Sequence, residues 1–65
     1  MEFLVLEDGR IYYEKKGQLM FYSPSQQSCF YSGMKSMSQI RKQYKHIKTQ
    51  HHDSIEDLMI YLKLG

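Results

Sequence analysis

A chain of 65 residues makes one domain and no more, and at this size folding buries only about 60% of the surface that the unfolded form exposes. Its 42% apolar and 14% aromatic residues argue against disorder, and its single cysteine excludes an internal disulfide. The formal net charge of +2 selects no partner by itself, no run approaches the ~18 apolar residues of a membrane span, and an unpaired Cys29 fits a reducing compartment, so a cytoplasmic location is expected.

The first half predicts strands. Glu2–Leu6 is nearly all apolar and runs into Asp8-Gly9, a dipeptide that suits a type I′ hairpin turn because both central positions there need positive φ. Arg10–Glu14 is the return strand, Lys15-Lys16-Gly17 a second turn, and Gln18–Tyr22 a third strand. After the polar loop Ser23-Pro24-Ser25-Gln26-Gln27, a shorter strand spans Ser28–Ser32 and stops at Gly33. Connections this short force antiparallel neighbours. The strands do not alternate: Phe3 and Val5 point one way and Leu4 and Leu6 the other, and Tyr12 opposes Tyr13 in the same manner. A sheet with one buried face shows polar residues on the other, so either helices or a partner must cover the second face.

The second half predicts helices. Met37, Ile40, Tyr44 and Ile47 keep to one stripe from Ser36 to about Lys48, with Ser36 or Ser38 as cap. His46–Gln50 is alternatively a short edge strand, which Ile47 and Thr49 permit. A second helix starts at Asp53, with Glu56 completing a capping box, and carries Ile55, Leu58, Met59 and Leu62. The expected fold is a single α+β domain over 1–65. An antiparallel meander of three to four strands (1–33) precedes two short helices (36–64) packed on one face.

The charges are unevenly laid out. From Lys15 to His52 there is no acid, while the same span holds Lys15, Lys16, Lys35, Arg41, Lys42, Lys45 and Lys48. On a helix continuing to residue 48, Arg41, Lys45 and Lys48 fall within roughly 60° of one another, with Lys42 to one side. Such a face attracts phosphates, and it lacks the acid–base pairs four residues apart that an ordinary surface helix carries. These seven residues are the candidate nucleic-acid contacts, for DNA or RNA. The competing reading is a solvated charged stripe.

Aromatic residues supply the second candidate surface. Some of Tyr12, Tyr13, Phe21, Tyr22, Phe30 and Tyr31 must build the core, and the rest stand outside, where tyrosine serves as a protein hot spot. Tyr12, Tyr22, Tyr31 and Tyr61 are the candidate protein-interface residues. The thin stability margin and two-sided strands lead to an expected homodimer, through the outer sheet face or the helix around Tyr61 and Leu64.

Other chemistry finds little support. His46, His51, His52 and Asp53 lack the spacing of helical metal pairs, and a buried, inert Cys29 on a strand is the ordinary case. No Gly-rich phosphate loop is present, and the chain is short for both a core and a water-excluding pocket, so no enzymatic activity, metal or cofactor is expected. In element order, Arg10-Ile-Tyr-Tyr-Glu-Lys-Lys-Gly, two further strands and a helix from Met37 resemble the three-stranded-sheet-plus-helix DNA-binding modules of plant AP2 factors and integrase arm domains. The resemblance implies DNA contact from the sheet. Those modules use arginines and tryptophans there, whereas here Arg10 stands alone and tryptophan is absent. Two functions are therefore expected of a small non-enzymatic regulatory protein: nucleic-acid binding through the basic helix, or an inhibitor or adaptor of phage or mobile-element type. The second would bind a host or cellular protein through a tyrosine-rich sheet face.

Overall fold

A strand that is apolar on both sides belongs in the interior of a sheet, with a hydrogen-bonded neighbour on each edge. Glu2–Leu6 meets that condition. In a computed structural model, which describes residues 1–33 and 36–63, this strand, β1, lies between β2 (Ile11–Lys15) and a late strand, β5 (Ile47–His51). The sheet is completed by β3 (Gln18–Ser23) and β4 (Ser28–Tyr31), in the order β4-β3-β2-β1-β5 with every neighbouring pair antiparallel. Helices α1 (Met37–Gln43) and α2 (Ile55–Tyr61) flank β5 in the chain.

The α+β class and the four-stranded meander are as the sequence leads one to expect. The fifth strand replaces the last turn of the expected first helix. Ser36 caps α1 through a capping box with Gln39, but the chain turns extended at Tyr44, and residues 47–51 go to the free edge of β1. Pairing there satisfies backbone groups that water would otherwise have to reach in a strand covered on both faces. The α2 cap is Ser54, whose hydroxyl accepts from the Asp57 N–H at 3.2 Å, one residue beyond the expected Asp53.

The turns also exchange roles. At the first hairpin Gly9 N–H donates to Leu6 O (3.0 Å) and Leu6 N–H to Arg10 O (2.9 Å), with Gly9 at φ +93°. This is a three-residue loop with a glycine bulge in place of the expected type I′ turn. The two consecutive positive φ values of a type I′ turn occur instead at Lys16 (+54°) and Gly17 (+77°), between β2 and β3.

The inner strands β1–β3 are buried on both faces, each face under one helix. Leu4, Leu6, Tyr12 and Leu19 pack with Ile40 of α1, joined by Phe21, Met37, Tyr44 and Ile47. Phe3, Ile11, Tyr13 and Tyr22 pack with Leu58 of α2, joined by Val5, Met20, Ile55, Met59 and Leu62. The helices therefore take opposite faces, where a single face was expected. β5 is the reason: by closing the β1 edge between α1 and α2, it carries the chain past the edge and releases it on the other side. The two-sided apolar strands have their explanation in this second helix.

Candidate interaction surface

The helical wheel that gathers the basic residues assumes one helix to residue 48, and the extended turn at Tyr44 dissolves it. Arg41 stays on α1, where its Nη2 donates to Glu2 Oε1 at 2.6 Å and forms an ion pair within the chain. Lys42 is exposed on the same helix and Lys45 lies in the connection to β5. Lys48 pairs in register with Val5, so its side chain belongs to the α2 face, away from Arg41 and Lys42. Lys15 and Lys16 form the β2–β3 turn, at the end of the sheet opposite the start of β5. Lys35 lies outside the described residues, as does Leu64. The six described candidates thus share no single face: Lys45 and Lys48 line one depression with His46, while Lys15 and Lys16 lie at the far end of the sheet and Arg41 and Lys42 stay on α1.

The tyrosines divide as well. Tyr12 (6% exposed) and Tyr22 (3%) are core residues, one on each face, and offer no surface to a partner; the expectation for these two is corrected. Each is buried because helices cover both faces. Tyr31 (52%) and Tyr61 (63%) are exposed. Tyr12 stacks on Phe21 and receives a hydrogen bond from Arg10 Nη1 at 3.4 Å. Burial raises its pKa, with Arg10 opposing. Burial raises Tyr13 further, reinforced by a hydrogen bond with Cys29.

Arg10 is a structural hub. Its Nε donates to Asp8 Oδ2 at 2.7 Å and its Nη2 to the Tyr44 hydroxyl at 3.2 Å, with the guanidinium carbon 5.2 Å from the Tyr44 ring centroid. This ties the first hairpin turn to the end of α1. The histidines are scattered: His46 Nδ1 stands 4.0 Å from Glu7 Oε1, His51 is exposed on β5, and His52 lies between the Phe3 and Tyr61 rings at 6.3 and 5.2 Å. Among the described residues, no three His, Cys, Asp or Glu side chains come together.

What the structure does assemble is an aromatic row across the α1 face. Ring centroids run from Tyr44 to Tyr12 (6.4 Å), Tyr12 to Phe21 (5.6 Å) and Phe21 to Phe30 (5.8 Å). Helix α1 covers the inner end. The outer end reaches β4, all four residues of which are exposed, and Phe21, Ser23, Gln26, Phe30 and Tyr31 line a shallow depression there. Cys29 is exposed on this outer strand, where a buried cysteine was expected.

The two edges of the sheet differ in chemistry. β5 carries Lys48 and His51 and is preceded by Lys45 and His46, and charge on an edge strand discourages pairing with other chains. β4 carries none, and from Gln18 to Gly33 the chain holds no charged residue. The neutral run is visible in the sequence, but missing charge marks a surface only once β4 is known to be an outer strand. No protein family, curated protein or solved structure matches the chain. No helix among the described residues is long and apolar enough to cross a membrane.

Proposed function

We propose that this chain is a small non-enzymatic protein-binding module whose working surface is the β3–β4 hairpin, with edge strand β4 as the element that meets the partner. One observation carries the reading: β4 is an outer strand, uncharged, exposed along its length, with Phe30 and Tyr31 on its two faces. An extended segment of another protein adds to such an edge through main-chain hydrogen bonds, while alternate side chains supply specificity. Phe30 and Tyr31 give an apolar anchor on each side of the added strand, and aromatic anchors are what interfaces most often rely on. The depression beside Phe21 and Phe30 would receive a side chain of that segment.

Nucleic-acid binding draws on the acid-free span from Lys15 to His52. It has less support in the geometry, because Arg41 is paired with Glu2, Lys15 and Lys16 lie at the far end of the sheet, and the exposed aromatics of β4 fall in a run without charge. The two readings separate in one experiment. Cross-linking and capture of interacting proteins by the wild-type chain are compared with Phe30→Lys and with an Arg41/Lys45 double reversal to Glu. On the protein-binding reading, Phe30→Lys weakens capture at least tenfold, about 1.4 kcal/mol, and the double reversal leaves it unchanged. Binding to DNA or RNA that weakens steeply from about 50 to 200 mM salt and is lost in the double reversal would overturn it.

A further inference from the structure

The partner of β4 can be narrowed, on the reading of this strand as the working edge, by asking what its own geometry accepts. Ser32 N–H donates to Leu19 O at 3.0 Å, which makes Leu19 and Ser32 a hydrogen-bonded pair of the β3–β4 ladder. Alternation along an antiparallel ladder then has Phe30 bonding back to Phe21, and turns the N–H and C=O of Cys29 to the open side. An incoming antiparallel strand would exchange hydrogen bonds with Cys29 and set its own residues opposite Phe30 as a close, non-hydrogen-bonded pair.

We propose that the incoming strand is β4 of a second copy, paired antiparallel about a two-fold axis at Phe30, so that two sheets become one continuous sheet. The argument is electrostatic and geometric. A two-fold axis sets each residue against itself or its near neighbours, and like charges so opposed are destabilising. The run from Gln18 to Gly33 has no charge to oppose, whereas self-pairing of β5 about Lys48 would set that lysine against its own copy. An antiparallel junction of this kind has its axis normal to the sheet and preserves its faces. Phe30 therefore meets Phe30 of the second copy on the α1 face, and the row Tyr44–Tyr12–Phe21–Phe30 runs on into its counterpart. The neighbouring registers, with the axis at Cys29 or at Tyr31, set Phe30 against Ser28 or Ser32 and leave its ring less covered. A partner recognised by opposite charge would find nothing on this edge to match.

The test is sedimentation equilibrium from about 1 μM to 1 mM, the range of a weak to moderate association, on the wild type, Phe30→Lys and Ile60→Lys. Ile60 is 74% exposed on α2 and serves as an apolar control away from β4. The wild type and Ile60→Lys pass from monomer to dimer within this range, and Phe30→Lys shifts the midpoint upward at least tenfold while its circular dichroism stays that of the wild type. A second variant needs no loss of binding: Cys29→Ser combined with Phe30→Cys forms an intermolecular disulfide on mild oxidation, since non-hydrogen-bonded pairs have Cα atoms about 4.5 Å apart, within disulfide range. A wild type that is monomeric throughout, a dimer indifferent to Phe30→Lys, or a failure of that variant to cross-link overturns the proposal. A monomeric wild type that still captures another protein through Phe30 sinks the second copy and leaves the protein-binding reading standing. Indifference to Phe30 in both capture and self-association removes both.

Discussion

Placing the two helices on opposite faces has an energetic consequence that a double-mutant cycle reads directly. Ile40 of α1 and Leu58 of α2 are both 0% exposed, and the buried residues around one share no member with those around the other. Ile40→Val removes one methyl group from a closed environment, at a cost of about 1 kcal/mol, and Leu58→Ala removes three carbons and leaves a cavity, at about 3 kcal/mol. A domain of this length has a total stability of roughly 3–10 kcal/mol, so both single variants are measured by urea unfolding at low temperature with sulfate present to hold the folded state. Since the sheet separates the two sites and they share no partners, the double variant should cost about 4 kcal/mol, with a coupling below about 0.5 kcal/mol. Were both helices on one face, as their amphipathic stripes alone suggest, the two side chains would line one core and the cavities would interact. A coupling of about 1 kcal/mol or more would refute the two-layered packing.

Three further perturbations test local features. Gly9→Ala forces a left-handed φ of +93° on a residue with a Cβ that would sit 3.0 Å from Pro24 Cγ, so the loss exceeds about 1 kcal/mol in chemical denaturation; a neutral result would mean that the first turn rearranges freely. The Asp8 pKa lies below its ordinary 3.8, chiefly because its carboxylate accepts the Arg10 backbone N–H, so its contribution to stability is in place above pH 3.8 and is lost as pH falls through the lower folded value. Asp8→Asn should therefore flatten the acid limb of a stability–pH profile, and an unchanged limb would count against the Asp8–Arg10 contact. Tyr13 has the opposite sign: burial raises its pKa above the ordinary 10.0, so the stability it brings is complete below pH 10.0 and declines as the pH rises above it. Tyr13→Phe should remove that alkaline decline while spectrophotometric titration loses its most resistant tyrosine.

Much of the local structure was legible because it is decided locally. Ser36 with Gln39 three residues on is a helix start wherever it occurs, and four apolar or aromatic clusters separated by turn residues describe a meander before any contact is known. The proposed surface is partly legible: Tyr31 stands among the expected interface tyrosines, whereas Phe30 does not, and the expected Tyr12 and Tyr22 belong to the core. Alternation cannot assign an outer face to a strand that is buried on both.

The basic face failed for a different reason. It depended on residues 44–48 continuing a helix, and nothing local forbids that: Tyr44 and Ile47 fit the helical stripe, as Ile47 and Thr49 fit a strand. The contest between them is settled at long range, by the unpaired edge of β1 more than 40 positions earlier in the chain. Once Ile47–His51 pairs there, Lys48 is turned to the α2 face, α2 is delivered to that same side, and the outermost charge-free strand becomes β4. From the sequence alone come the class of fold, the meander, the helix caps and the uncharged run from Gln18 to Gly33. Strand order, the allotment of one helix to each face and the exposure of Phe30 belong to the tertiary structure, because backbone pairing across a sheet is set by which edge remains open, and no residue carries that information by itself.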